Sequence, residues 1–250
     1  MKSKIYLLLV VNALMCFNLS AQQPAHSADN KLEKFDKNIG IAQLSDNAYL
    51  MQSSFAINGQ LDCNHLLLVD KKDIVLINTP VNDSLTRIML SYIEKKFKRR
   101  VTKVIVSHFH DDSSGGLRMI SKLGINSFGL NKTRELLRTE GKYIDFVFAN
   151  SLTIPLQTMD LELFYPGAGH SVDNIVVWVP AEKILFGGCL IKSPAVNDKG
   201  NIKDADLQNW PIAVEHVKDR YNDAKIVIPG HGDIGDSSIF DHTIRVVTMN

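Results

Sequence analysis

Residues 101–116 read VTKVIVSHFHDDSSGG. The first half, Val101 to Ser107, is rich in β-branched residues and predicts a buried strand. The second half breaks at once into imidazoles, carboxylates and small residues, the composition of a turn leaving that strand. Upstream, Asn82 to Phe97 carries Leu85, Ile88, Met89, Tyr92, Ile93 and Phe97 on one face at helical spacing. Earlier still, the apolar runs Leu66 to Val69 and Ile74 to Ile77, separated by polar Asp70 to Asp73, predict a hairpin. Strand, helix, strand in that order is a βαβ unit with parallel neighbours. Further strands are predicted at Asp160 to Tyr165, Ile175 to Val179, Ile184 to Phe186 and Lys225 to Ile228. Helices are predicted at Leu117 to Leu123, Lys132 to Glu140, Asp206 to Tyr221 and Ser237 to Val247. This mixture predicts one layered α/β domain over residues 38–250.

The whole chain of 250 residues has 28 Lys plus Arg, 27 Asp plus Glu, 45% apolar residues and 22% charged residues. Such values describe an ordinary globular protein and give no electrostatic footprint for nucleic acid. Residues 1–21 combine Lys2 and Lys4, an apolar run from Ile5 to Phe17, and small residues at Ser20 and Ala21. That is the pattern of a secretory signal peptide, too short to cross a bilayer comfortably, and it places the mature protein in the periplasm. Cys16 raises a lipid-anchored alternative, to which Met15 is a poor fit. Residues 22–37 are polar and read as a flexible lead-in. Losing Lys2 and Lys4 leaves 26 basic against 27 acidic residues, a formal charge of −1, with Cys63 and Cys189 as the only cysteines. In an oxidising compartment two thiols can pair, and one left free needs a reason such as metal ligation.

Chemistry collects at strand ends. After Val104-Ile105-Val106-Ser107 come His108, His110, Asp111 and Asp112; after Leu163-Phe164-Tyr165 comes PGAGH with His170. After Ile184-Leu185-Phe186 comes GGC with Cys189, and after Ile226-Val227-Ile228 comes PGHG with His231. Loops at the ends of strands are where α/β proteins place their sites, and His, Asp and Cys are zinc donors. Taken singly, Cys189 reads as a small buried hydrophobe and Asp112 as a helix N-cap before Ser113. Six such donors at four strand ends point instead to metal.

The segments HFHDDSSGG, GAGHSVDN, FGGCLIK and PGHGD, in that order, resemble the signatures of subclass B1 metallo-β-lactamases, and the likeness extends over almost the whole mature chain. The resemblance implies the αβ/βα sandwich, two mixed sheets flanked by helices. It implies two zinc ions, one on His108, His110 and His170 and the other on Asp112, Cys189 and His231. The activity implied is hydrolysis of the β-lactam amide of penicillins, cephalosporins and carbapenems by zinc-activated hydroxide, which confers antibiotic resistance. The donor chemistry agrees: three neutral imidazoles leave a zinc fully dipositive, able to bring the pKa of bound water to about 7. A carboxylate, a thiolate and an imidazole nearly neutralise the other, leaving room to accept charge on a departing nitrogen. By the same resemblance Lys192 binds the substrate carboxylate, Asn201 donates to the carbonyl oxygen, and Asp112 is a catalytic group as well as a ligand. Gly200-Asn201 also reads as a simple turn. The Phe55 to Gly59 segment resembles a mobile apolar flap, with inward packing as the alternative. The expected partner is a small-molecule β-lactam, with no nucleic acid, no membrane span in the mature chain, and a monomeric state.

Some residues depart from the pattern. Asn78 stands where relatives usually have Asp, His65 where many have Gly, and Ser113 where many have Arg; Asp111 adds a carboxylate beside the ligands. Cys63 and His65 suggest either an accidental extra metal site or plain packing. Thioesterases of the glyoxalase II type, phosphodiesterases and nucleases share the fold, but they typically carry His at the Ser113 position and a bridging Asp at the Cys189 position. A purely structural zinc site is normally closed by four protein ligands, whereas three plus three leaves open positions.

Overall fold

A computed structural model describes residues 31–249. The expected signal peptide, residues 1–21, and Cys16 lie outside the described residues. The first sheet contains β1 (Glu33–Asp36), β2 (Ile39–Gln43), β3 (Ala48–Ser53), β4 (Cys63–Val69) and β5 (Ile74–Ile77). After helix α1 (Asp83–Phe97) it continues with β6 (Lys103–Ile105); helices α2 (Asp111–Ser114) and α3 (Leu117–Lys122) follow. It ends with β7 (Asn126–Leu130), α4 (Asn131–Arg138) and β8 (Phe146–Phe148). The second sheet contains β9 (Ser151–Pro155), β10 (Asp160–Phe164), β11 (Val176–Val179), β12 (Ile184–Gly188) and, beyond α5 (Trp210–Arg220), β13 (Ile226–Pro229); α6 (Ile239–Thr248) closes the chain.

Strands β1 to β8 lie in chain order, and the second sheet runs β13-β12-β11-β10-β9. Pairing is parallel from β5 through β8 and between β12 and β13, and antiparallel elsewhere, so both sheets are mixed. Period-two alternation assigns side chains to layers. In β5, Val75 and Ile77 enter the core between the sheets, while Ile74 and Leu76 pack with Leu85, Met89 and Ile93 of α1. In β11, Val177 and Val179 face the inter-sheet core, while Val176 and Trp178 pack with Trp210, Val214 and Val217 of α5. Helix, sheet, sheet and helix therefore stack as an αβ/βα sandwich. Each fully buried aliphatic side chain contributes about 1.5–3 kcal/mol toward holding those layers together.

The hairpin, the βαβ unit and the later strands and helices predicted from sequence are present. Asn82 caps α1, its Oδ1 accepting from Leu85 N at 2.9 Å. Strand β1, by contrast, lies inside the 22–37 segment read as a loose lead-in. Its polar sequence EKFD hides an edge strand, anchored by Phe35 stacking on Tyr92 of α1. Helix α5 starts at Trp210 rather than Asp206, with Pro211 in its first turn, where a missing N–H costs nothing. Asp206 instead donates its backbone N–H to Gly169 O at 2.8 Å, tying down a donor loop.

Candidate metal centre

The β6 turn is held from beneath by a neutral polar network. Asn78, in the left-handed region at φ 63°, accepts at Oδ1 from Ser107 N at 2.9 Å and from Ser113 Oγ at 2.6 Å. Asn is among the few side chains that tolerate this backbone conformation. Thr79 donates to Ser113 O from both its backbone N and its hydroxyl, at 2.9 and 3.1 Å. Gly116 lets the turn close on α1, since a Cβ there would lie 2.1 Å from Thr86 Oγ1. Asn78 and Ser113 thus bond each other without any charge. Asp112 sits in the first turn of α2 and points inward; the N-cap position is His110.

Three imidazoles converge above this turn. His110 Nδ1 is 3.1 Å from His170 Nε2, and His108, His110 and His170 form one group whose donor atoms lie within 4.8 Å of one another. The other nitrogen of His110, Nε2, is 3.0 Å from Asp204 Oδ2. A carboxylate there accepts the Nε2 proton and leaves Nδ1 free to ligate. Sequence reasoning missed Asp204, whose only local signal is an acid three residues after Asn201. The His170 loop is held by the start of α5 and the turn before it: Asn209 Nδ2 donates to Ala168 O at 2.7 Å, and His216 Nδ1 donates to Pro166 O at 2.8 Å. Burial, reinforced by His108 and His110, holds His170 well below the usual imidazole range, so its ring is neutral and fit to bind a cation.

Asp112 connects the two donor sets. Its Oδ2 accepts from Cys189 Sγ at 3.3 Å and lies 2.8 Å from His231 Nε2, while Oδ1 faces His108 Nε2 at 3.3 Å. The second group of mutually close donors is His108, Asp112 and Cys189; His231 stands outside it and is linked through Asp112. Gly230 makes room for the thiol, since a Cβ there would meet Cys189 Sγ at 2.3 Å. Burial favours a neutral Asp112, but the nearby charge of His108 and the bond to His231 outweigh it and hold the carboxyl well below its usual range. Burial and then the Asp112 charge push the Cys189 thiol well up, so a cation must displace its proton before the sulfur ligates. His108 Nε2 and Asp112 Oδ1 are both buried with no hydrogen-bond partner. Buried polar atoms are nearly always paired, and imidazole nitrogens and carboxylate oxygens are both atoms that divalent cations satisfy. The donors present fit zinc.

The cavity over these residues has a volume of about 500 Å³ and is lined also by Phe55, Asp62, Lys192 and Asn201. Lys192 Nζ donates to Lys199 O at 2.9 Å, and burial lowers its pKa against the opposing pull of Cys189 and Asp198. Asn201 Oδ1 accepts from Lys203 N at 3.1 Å, so it forms a local turn and lines the pocket at once. Phe55 and Ile57 are 53% and 49% exposed, and Phe55 meets the His231 ring edge-on at 6.3 Å. The segment therefore lies over the pocket and is not packed inward. Asp111 is exposed but paired with Lys142 at 2.6 Å. His65 Nε2 lies 2.8 Å from Ser53 Oγ, and burial brings its pKa down to about 4. Neither His65 nor Cys63 joins a group of metal donors among the described residues. A cavity of about 600 Å³ between α1 and α3, lined by Arg87, Leu90, Met119 and Leu123, contains no imidazole or thiol.

A family model described as the metallo-beta-lactamase superfamily matches residues 58–231. The metallo-beta-lactamase type 2 of Bacteroides fragilis is 36% identical over 222 residues, 88% of this chain and 89% of that protein. Its namesake from Bacillus cereus is 37% identical over 232 residues, covering 92% and 91%. Among solved structures, a metallo-beta-lactamase from Pontibacter korlensis superposes with a TM-score of 0.80 at 32% identity, over 88% of this chain and 100% of that one. The DIM-1 metallo-beta-lactamase superposes with a TM-score of 0.77 at 30% identity, over 87% and 98%.

Proposed function

The chain belongs to the metallo-β-lactamase superfamily, among its subclass B1 members, and is a β-lactam hydrolase; from that premise we propose that it uses two zinc ions to hydrolyse penicillins, cephalosporins and carbapenems. His108, His110 and His170 hold one zinc, and Asp112, Cys189 and His231 hold the other. The observation that carries this reading is the facing pair of buried, unpartnered atoms, His108 Nε2 and Asp112 Oδ1, where the two donor sets meet.

When bound, the ions supply Lewis-acid polarisation of the lactam carbonyl and bring the pKa of water to about 7. The chain's own residues do the rest. Lys192 Nζ releases the Lys199 carbonyl to bind the substrate carboxylate, a compact positive partner for it. Asn201, whose turn bond uses only Oδ1, directs its amide Nδ2 to the carbonyl oxygen. Asp112 is an anion that holds cation charge, and Asp204 keeps the His110 proton on Nε2. Phe55 and Ile57 cover the substrate and exclude water.

The purified protein is expected to hydrolyse a carbapenem and a cephalosporin, to stop on chelation, and to recover with added zinc; turnover indifferent to the chelator contradicts the reading. Residues 1–21 are proposed to export the chain to the periplasm as a monomer, with lipid anchorage through Cys16 as the alternative. Among the described residues no helix is long and apolar enough to cross a membrane. Mass spectrometry of the mature N-terminus separates cleavage after Ala21 from acylation at Cys16.

A further inference from the structure

Cys63 takes no part in the reading above, yet it lies directly against one of its residues. It is fully buried at the first position of β4, in an isolated antiparallel bridge with His231. Around that bridge β4 grips the loop after β13. Asn64 N donates to Gly230 O at 2.8 Å and Gly232 N to Asp62 O at 3.2 Å. Asn64 Nδ2 donates to Pro229 O at 2.9 Å and to Gly232 O at 2.8 Å. The backbone on both sides of His231 is therefore fixed, and what remains free is the rotation of its ring. That ring is held between two groups: Nε2 lies 2.8 Å from Asp112 Oδ2, and Nδ1 lies 3.7 Å from Cys63 Sγ.

We propose that Cys63 is a positioning residue for His231, its sulfur holding the Nδ1 side of the ring so that Nε2 is presented to the second zinc. This rests on the reading of His231 as a ligand. A neutral imidazole that ligates through Nε2 carries its proton on Nδ1 and needs an acceptor there. Among the described residues Cys63 Sγ is the hydrogen-bonding group recorded at that nitrogen. A thiol is both a weak donor and a weak acceptor, so it serves either tautomer of the ring.

The test compares Cys63→Ala, Cys63→Val and Cys63→Ser in the full chain by zinc titration, with nitrogen NMR of the His231 ring in the zinc-loaded protein. Ala and Val offer no partner to Nδ1, and Val keeps the core filled if the smaller residue destabilises it. Both are expected to weaken the second zinc about 10- to 100-fold while leaving the first unchanged, and Ser is expected to restore affinity to within about threefold of the parent. The Nδ1-protonated tautomer should dominate in the parent and in the Ser variant. The proposal is overturned if Ala and Val leave second-site affinity within about threefold of the parent, or if Ser loses as much as Ala. His231→Ala provides the separate control. If it too leaves the second zinc unchanged, the ligand reading itself fails; if it abolishes that binding while Ala at position 63 does not, only the positioning role falls.

Discussion

Asp70 and Asp112 are both buried carboxylates at opposite ends of the same layered strands, and their surroundings differ in kind. Asp70, just past β4, accepts from Gln157 N at 3.0 Å, from Thr158 N at 2.9 Å and from the Thr158 hydroxyl. It stitches the β4–β5 turn of one sheet to the β9–β10 turn of the other. Asp112 has one oxygen bonded to Cys189 and placed against His231, and a second buried without a hydrogen-bond partner. A buried charge whose acceptors are filled by N–H and O–H groups is a structural fastening. One left partly unmatched beside imidazoles is prepared for a cation, at a cost in intrinsic stability.

That contrast can be broken most sharply by exchanging charge for amide at each end. Asp112→Asn is expected to reduce turnover by orders of magnitude while the fold, followed by circular dichroism, stays intact. An unchanged rate would remove Asp112 from the site. Asp204→Ala sharpens the same side of the comparison. Loss of the His110 Nε2 acceptor should weaken zinc at the three-histidine site about 10- to 100-fold by titration, with the second site less affected. Equal weakening at both sites would mean that Asp204 supports the whole pocket and not one ring.

Asp70→Asn should behave in the opposite way, lowering unfolding free energy by about 2 kcal/mol in a denaturant titration while activity per folded molecule persists. Its pH dependence has a definite sign. Burial raises the Asp70 carboxyl, but hydrogen bonds from Thr158 and Gln157 outweigh it and hold the folded-state pKa below 3.8. The stabilisation is therefore fully present above the unfolded value and lost as pH falls through the folded one. The stability gap between parent and Asp70→Asn should be constant near neutrality and close below about pH 4. A gap that widened on acidification would reverse the assignment. The smallest effect is expected for Lys192→Ala: a Michaelis constant raised about tenfold for carboxylate-bearing β-lactams, with little change for an uncharged ester.

Much of this was legible in the chain. The alternation of Val75 and Ile77 against Ile74 and Leu76 marks a strand covered on both faces, and the spacing from Leu85 to Phe97 marks the helix that covers one of them. His108, His110, His170, Asp112, Cys189 and His231 stand out because each follows a predicted strand in a glycine-containing or polar turn. Strands β1 to β3 were less legible, since their polar edge and mixed composition draw stability from neighbours such as Tyr92 rather than from local pattern. Asp204 was invisible for a similar reason. Nothing in KDAD signals a partner for an imidazole 94 positions away.

The sequence by itself determined the layers and the kinds of donor, because strand and helix periodicity and ligand chemistry are written in neighbouring residues. Only the tertiary structure decided what stands behind each donor: Asp204 beside His110, the neutral Asn78–Ser113 pair beneath the β6 turn, and Cys63 against a ring 168 residues away. Those partnerships depend on how loops close across two sheets, and side-chain contacts a few ångströms long leave no local periodic trace.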